Sequence, residues 1–338
     1  MKAAVVSSFD APPRYADFSE PVTTEDEAMI VSLVAAGLHP RVRSQADGSH
    51  YTSTGVLPLV PGVDGVGRDP AGELRYFVLE DTTLGSMAER IAIDPRRSVV
   101  LPSDCDPLAV AAAMNPAMSS WIALRQRISF VPGGNVLVLG ATGNAGRLAV
   151  QVARLLGAGQ VIAAGRRADL LAGLPALGAT RTLLLDDASP VVQDRLGQSA
   201  SDVDVVLDYL WGQPAATVLT ALISGRADRG KPLTWIEIGS VAGLAAPIPS
   251  AALRAAQLQM IGSGRGSVAS SAILAELPGL AREISKGTFG IDVQAVPLAD
   301  VERAWTDDAG TRHRIVITVL PAAGRVANAA CVQSGIGS

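Results

Sequence analysis

Residues 136–146 read VLVLGATGNAG, an apolar run of strand length that passes directly into a glycine-rich turn. Leu148, Val152 and Leu155 follow at helical spacing, so they fall on one face of a helix, while polar residues fall on another. A strand, a tight turn and an amphipathic helix in this order are typical of the first unit of a parallel α/β sheet. The stretch therefore predicts an α/β domain whose first strand begins at about residue 135.

The turn itself carries Gly140, Gly143 and Gly146 in a GxxGxxG spacing, a variant of GxGxxG. Such glycines occur in ordinary tight turns, but their position between strand and helix favours a phosphate site, because first-turn N–H groups and the helix dipole attract a pyrophosphate. Arg147 and Leu148 follow, so the Gly-Lys-Ser/Thr of a phosphate-binding NTPase loop is absent. The expected cofactor contacts in the turn are Gly140, Thr142, Gly143, Asn144, Ala145 and Gly146.

The end of the second predicted strand indicates which dinucleotide is bound. An acidic residue there would hold the ribose 2′-hydroxyl of NAD, whereas arginine would hold the 2′-phosphate of NADP. Gly165, Arg166 and Arg167 follow this strand, and no carboxylate is present to repel a phosphate. We therefore expect NADP(H), with Arg166 and Arg167 as contacts. The alternative is that both arginines begin a surface helix and face solvent.

The pattern of the remaining chain predicts a nucleotide domain inserted into a second domain. Short strands alternate with helical stretches over 119–258, which indicates a parallel sheet, and residues 1–118 and 259–320 are β-rich. Residues 321–338 lack periodicity and are expected to form a loose tail. The predicted strands of the sheet are 135–139, 161–164, 182–185, 203–208 and 233–238.

The composition favours a well-packed, soluble protein. Of 338 residues, 48% are hydrophobic and 18% are charged, which is too little polarity for a disordered chain. The formal net charge is -4, and no basic cluster suited to nucleic acid is present. No apolar run approaches a membrane span, and the first residues lack the core of a secretion signal. We expect a cytoplasmic protein with no nucleic-acid and no membrane partner.

Motifs spread over about residues 1–320 resemble the medium-chain dehydrogenase/reductase superfamily, closest to its zinc-independent quinone oxidoreductase and enoyl reductase branch. The motifs are MKAAVV at 1–6, AAGLHP at 35–40, PGVDGVG at 61–67, GSMAERIAID at 85–94, MNPAMSSWIAL at 114–124, the glycine turn, LGAT at 177–180, VDVVLDYLWG at 203–212 and IEIGS at 236–240. The resemblance implies an α/β fold, with a Rossmann-type parallel sheet domain inserted into a β-rich, GroES-like catalytic domain. It also implies a homodimer paired through residues 258–268.

Zinc-dependent members of the superfamily place a Cys after the AAG turn and a Gly-His-Glu further on. Here the matching positions read Leu38-His39 and Gly62-Val63-Asp64. A catalytic zinc requires three protein ligands of N, S or O type, so we expect no metal. Asp64, at the acidic position, is expected to order backbone rather than to take part in chemistry.

The resemblance also suggests where the reaction takes place. His39, where Asn is more usual, is a candidate hydrogen-bond or proton donor to the acceptor, or else a structural cap on the turn before Pro40. Tyr51, beside His50, lies in a loop that resembles the substrate-facing loop. The remaining residues expected to contact the cofactor are Asn115, Ser119, Gly239, Ser240, Ser263 and Gly264.

Without a metal, hydride transfer suits a small acceptor that is already electrophilic, such as a quinone or an α,β-unsaturated carbonyl. Two other hypotheses stay open: a non-catalytic NADPH-binding relative that senses redox state, and a biosynthetic enoyl-thioester reductase. A short-chain reductase is disfavoured, because about 130 residues precede the glycine turn and none of the four tyrosines is followed by a lysine four positions later.

Overall fold

The computed structural model describes residues 1–23, 28–50, 52–185, 196–264, 266–307 and 313–319. Tyr51 and the predicted tail at 321–338 lie outside these ranges. The strands are β1 (Lys2–Val5), β2 (Arg14–Asp17), β3 (Met29–Gly37), β4 (Asp64–Arg68), β5 (Leu74–Val78), β6 (Arg90–Ile93), β7 (Ser98–Val100), β8 (Asn135–Leu139), β9 (Gln160–Gly165), β10 (Arg181–Leu184), β11 (Val205–Asp208), β12 (Leu233–Glu237), β13 (Leu258–Gly262), β14 (Val293–Pro297) and β15 (Arg314–Thr318).

The helices are mostly short, and two of them carry an internal proline. They are α1 (Pro40–Ala46), α2 (Pro107–Ile122), α3 (Asn144–Leu155), α4 (Ala168–Leu171), α5 (Gly212–Gly225), α6 (Ser250–Arg254), α7 (Ser270–Ser285) and α8 (Val301–Thr306).

In the described part of the chain, β8 to β13 form a six-stranded parallel sheet in the order β10-β9-β8-β11-β12-β13. This is the order of a doubly wound dinucleotide-binding sheet. The five strands predicted for it are confirmed, each to within two residues of its predicted ends. The chain order reverses between β8 and β11, and a ligand crevice is expected outside the carboxyl ends of these strands.

A second, mixed sheet contains seven strands of the described chain in the order β14-β15-β3-β4-β5-β7, with β6 also paired to β3. β15 pairs antiparallel with β3, so the last described strand lies beside one of the first. Strands β14 and β15 thus pack back on the N-terminal part, in the direction that the order of segments predicts. The apolar alternation of β3 buries Val31, Leu33 and Ala35 in this region.

Helix α2 connects the two sheets, and it packs against β3, α3 and α7. Its residues Ala111 to Met114 are fully buried, in one apolar cluster with residues of both sheets. Residues 107–127 are long and apolar enough to span a membrane by length and composition, which the sequence interpretation missed, but 67% of the apolar window is buried inside the protein. Such burial is characteristic of a core helix.

The predicted boundaries at 118/119 and 258/259 stay predictions, and two elements lie close to them. Helix α2 runs across the first. Strand β13 begins at Leu258 and joins the six-stranded sheet up to Gly262, so this sheet extends four residues past the predicted end of the nucleotide domain.

Candidate active site

The glycine turn has the shape that a bound phosphate requires. Gly140 has φ +81°, a left-handed conformation that favours glycine. A Cβ at Gly146 would lie 2.2 Å from the carbonyl oxygen of Gly140, so only glycine allows α3 to approach β8 this closely. Gly143 is the N-cap of α3 and offers no side-chain cap. The first-turn N–H groups, which lack intrahelical acceptors, can therefore bind an anion.

A cavity of about 480 Å³ lies against this turn at the carboxyl ends of the central strands. All six predicted turn residues line it, and Ala141 is buried behind them. Arg166, Arg167, Arg43, Arg314 and His313 also line it, and no described lining residue is acidic. The cavity is thus strongly electropositive and fits the phosphates of a dinucleotide.

The two arginines after β9 differ in their partners. Arg167 forms a bidentate ion pair with Asp169, at 3.0 and 2.8 Å, and this hydrogen bonding lowers the pKa of Asp169 to about 2. Arg166 has no hydrogen-bond partner among the described residues and is exposed at the cavity. Arg166 is therefore the better placed of the two to bind an incoming phosphate.

His39 belongs to a buried polar cluster with Asp64 and Tyr76. Its Nε2 atom lies 2.8 Å from Oδ1 of Asp64, and the hydroxyl of Tyr76 donates to Oδ2 of Asp64 across 2.8 Å. His39 occupies the N-cap position of α1, but its side chain makes no capping hydrogen bond. The cap interpretation of His39 is therefore wrong, and Asp64 orders two side chains rather than the backbone.

The cluster contains a further charge that sequence reasoning missed. Arg314, the first residue of β15, is buried and donates to the carbonyl oxygens of Ala112 and Leu38, at 3.4 Å each. Burial lowers the pKa of Arg314 to about 10, although the charge of Asp64 opposes this change. Burial also lowers the pKa of His39, despite the neighbouring Asp64. The sequence signal that could have identified Arg314 was its position as a charged residue at the start of the apolar run RIVITVL.

A second cavity of about 380 Å³ lies beside the first. Its walls are mostly apolar, including Met118, Ile122 and Leu274. Four of the predicted cofactor contacts line this second cavity rather than the cavity at the glycine turn: Asn115, Ser119, Ser263 and Gly264. His50 and Tyr76 line it as well. The arrangement provides a pocket for an apolar molecule next to the electropositive cavity at the glycine turn.

One hydrogen bond joins the linings of the two cavities. The hydroxyls of Ser119 and Tyr209 lie 2.9 Å apart, Ser119 on the second cavity and Tyr209 on the first. Burial raises the pKa of Tyr209 to about 12, so the phenol stays protonated at neutral pH. Tyr209 directly follows β11, and it was not predicted as a site residue.

The other predicted residues are distributed as follows. Gly239 and Ser240 follow β12 near Tyr209 but line neither cavity. His39 is 2% exposed and also lines neither. Tyr51 lies outside the described residues. In the described ranges, no group of three or more His, Cys, Asp or Glu side chains is placed to hold a metal ion.

No family model matches the chain. A protein of Emericella nidulans described as a probable NADPH-dependent quinone reductase is 29% identical over 359 residues, covering 94% of this chain and 99% of that protein. The 2-methylene-furan-3-one reductase of Solanum lycopersicum is 28% identical over 206 residues, covering 54% and 53% of the two chains. The quinone oxidoreductase of Thermus thermophilus, solved also as its complex with NADPH, has a TM-score of 0.79 and 27% identity, covering 94% of this chain and 100% of its own.

The two sheets, the paired cavities and these relatives together indicate an oxidoreductase of the α/β class. In sequence and in fold the chain is similar to NADPH-dependent quinone oxidoreductases and enone reductases of the medium-chain dehydrogenase/reductase superfamily. The predicted fold and the predicted resemblance to that superfamily are thereby confirmed.

Proposed function

We propose that this protein is an NADPH-dependent reductase that transfers hydride to a quinone or to the alkene of an α,β-unsaturated carbonyl. The observation that carries the proposal is the pairing of two cavities: one electropositive and lined by the glycine turn, the other largely apolar. The similarity to the probable NADPH-dependent quinone reductase of Emericella nidulans and to the quinone oxidoreductase of Thermus thermophilus supports the same cofactor and the same class of acceptor.

The glycine turn and Arg166 fit a phosphorylated dinucleotide. The turn would hold the pyrophosphate with backbone N–H groups, and Arg166 would hold the 2′-phosphate, with Arg167 as a weaker contact because Asp169 already binds it. Bound NADPH supplies the hydride. Asn115 and Ser119, with Gly239, Ser240, Ser263 and Gly264, would surround the nicotinamide between the two cavities.

The protein's own contribution to the reaction is orientation and exclusion of water. The apolar walls of the second cavity hold a flat acceptor against the nicotinamide and keep water from its reducible face. The Ser119–Tyr209 hydrogen bond fixes the wall between cofactor and acceptor. Neither role requires a metal, and we propose that the protein works without zinc.

His39 is a positioning residue in this proposal. It is buried and lines neither cavity, so it acts through Asp64. Asp64 in turn fixes the phenol of Tyr76 at the second cavity, the proposed acceptor cavity. Tyr51 remains a proposed acceptor contact, because its neighbour His50 lines that cavity.

We further propose that two copies pair through the free edge of the six-stranded sheet and that the dimer works in the cytoplasm, without a membrane or nucleic-acid partner. Strand β13 forms this edge in the described chain. Sedimentation velocity tests the pairing: a monomer at micromolar concentration would contradict it.

Product analysis tests the proposed function. The protein is incubated with NADPH and, in turn, a naphthoquinone, an enone and an enoyl thioester, and the products are identified by mass spectrometry. We expect reduction of the quinone or the enone. Reduction of the thioester alone would identify a biosynthetic enoyl reductase instead. Tight NADPH binding without any product would identify a non-catalytic NADPH-binding protein.

A further inference from the structure

Two arginines stand in the mostly apolar wall of the second cavity, the acceptor cavity. Arg41, on α1, and Arg97, which ends the 3₁₀ turn Pro95–Arg97, both line it. None of the described residues that line this cavity is acidic. A neutral quinone or enone can accept a hydrogen bond at its carbonyl oxygen, but a pair of guanidinium groups binds an anionic group more strongly.

Both arginines are held from outside the cavity by consecutive residues. Arg41 donates to Asp81 across 2.8 Å, and Arg97 donates to Glu80 across 3.1 Å. Glu80 and Asp81 are adjacent in the chain, so one short segment binds both guanidinium groups. Glu80 is 73% exposed, whereas the side chain of Arg97 is 16% exposed. Water screens the carboxylate of Glu80, so its ion pair is weak.

Each guanidinium keeps donors for a ligand. A guanidinium has five N–H donors. Arg41 uses one nitrogen for Asp81, and Arg97 uses two, for Glu80 and for the carbonyl of Val78. The apolar surroundings strengthen any further charge-assisted bond, because the effective dielectric constant is lower than in water.

We propose that the physiological acceptor carries an ionised acidic group, an enolic hydroxyl or a carboxylate, beside its reducible ring or alkene. Arg41 and Arg97 bind this group and determine specificity for it. The inference rests on the proposed function of the same site, and it names the substrate class within the quinones and enones.

The chemistry of reduction favours such a pair of cations. NADPH gives a hydride, with two electrons, to the acceptor, and a proton from solvent completes the hydroquinone or saturated carbonyl, leaving NADP⁺. An acceptor that is already anionic holds a second negative charge until that proton arrives. Two guanidinium groups at the cavity wall therefore stabilise the transition state more than the ground state.

A matched pair of substrates tests the proposal. 2-Hydroxy-1,4-naphthoquinone has an acidic hydroxyl that is ionised at neutral pH, and 2-methoxy-1,4-naphthoquinone is its neutral counterpart. The ratio of their kcat/KM values is measured for the parent protein, R41Q, R97Q and R68Q. Arg68 is exposed, donates to the carbonyl of Gly72 and lies outside both cavities, so R68Q is the control.

We expect R41Q and R97Q each to lower kcat/KM for the hydroxy compound by about 10- to 100-fold, the effect of one charge-assisted bond, with the methoxy compound and R68Q little changed. Equal losses on both quinones would overturn the proposal, because they would indicate a structural role. Calorimetric binding of the hydroxy compound to the NADP⁺ complex gives a readout without turnover. Binding that the arginine variants lose supports the acidic-ligand site even if no quinone is reduced, and absence of binding by the parent overturns it.

Discussion

The Nε2 atom of His39 donates to Oδ1 of Asp64 across 2.8 Å, and both side chains are buried. Because an ionised carboxylate only accepts hydrogen bonds, this contact fixes the imidazole with its proton on Nε2. Nδ1 has no partner among the described residues, so nothing there stabilises a second proton. His39 is therefore held neutral in the folded protein, next to a carboxylate that it orients.

The first prediction concerns stability at acidic pH. Burial lowers the folded-state pKa of His39 below its unfolded value of about 6.5. Above that pH neither state binds a proton at His39. Below it the unfolded chain takes up a proton that the folded protein resists, so the free energy of unfolding falls as the pH is lowered.

We expect H39Q to show a smaller decrease in the free energy of unfolding between pH 7 and pH 5 than the parent, measured by urea denaturation. His313 is exposed, and H313Q serves as the control, with the parent's slope. The same slope in H39Q and the parent would show that His39 is not the group responsible.

Tyr76 provides the second prediction. Its phenol donates to the buried Asp64, and both burial and the Asp64 charge raise its pKa well above 10, so it stays protonated. Y76F removes one donor from the buried carboxylate and should lower the free energy of unfolding by about 1–3 kcal/mol. Y15F changes an exposed tyrosine and should have little effect. An unchanged stability of Y76F would mean that the bond to Asp64 contributes nothing.

The glycine turn gives a matched pair of substitutions. G146A places a Cβ 2.2 Å from the Gly140 carbonyl oxygen, whereas the Cβ of G143A lies 3.4 Å from the same atom, an ordinary contact. We expect G146A to lower the free energy of unfolding by about 1–3 kcal/mol through overpacking, and G143A to lower it less. Thermal denaturation of both variants measures this, and the opposite order would contradict the described geometry of the turn.

Substitution of Arg166 and of Arg167, one at a time, compares the two contacts predicted for the 2′-phosphate of NADPH. R166A removes an arginine without a described partner at the cavity, and it should raise the KM for NADPH by about 10- to 100-fold while leaving that for NADH unchanged. R167A should have a smaller effect, because Asp169 already binds Arg167. Equal effects on NADPH and NADH would place the 2′-phosphate elsewhere.

The sequence was sufficient to predict the parallel sheet and the cofactor turn because their signals are local. Strand β8 begins and ends at the predicted residues, and the predicted turn residues all line one cavity. The spacing of apolar residues and of glycines predicts these features because it depends only on residues that are close in the chain. The order of β-rich segments also predicted that the chain after about residue 259 returns to the N-terminal part, and the pairing of β15 with β3 agrees with this.

The acceptor side could not be predicted as well, because its side chains come from distant parts of the chain. Asp64, Tyr76 and Arg314 meet around His39 only through pairing of β4 with β5 and of β15 with β3. A single histidine before a proline carries no sign of whether it faces a cavity or a buried carboxylate. Residues Arg41 and Arg97 likewise look like surface charges until the cavity between them is described.

Steady-state oxidation of NADPH and NADH with one quinone acceptor measures the proposed hydride transfer itself. We expect acceptor-dependent oxidation, with kcat/KM for NADPH exceeding that for NADH by about 10- to 100-fold, the effect of one charge-assisted bond to the 2′-phosphate. Equal values for the two cofactors, or no oxidation of bound NADPH by the quinone, would contradict it.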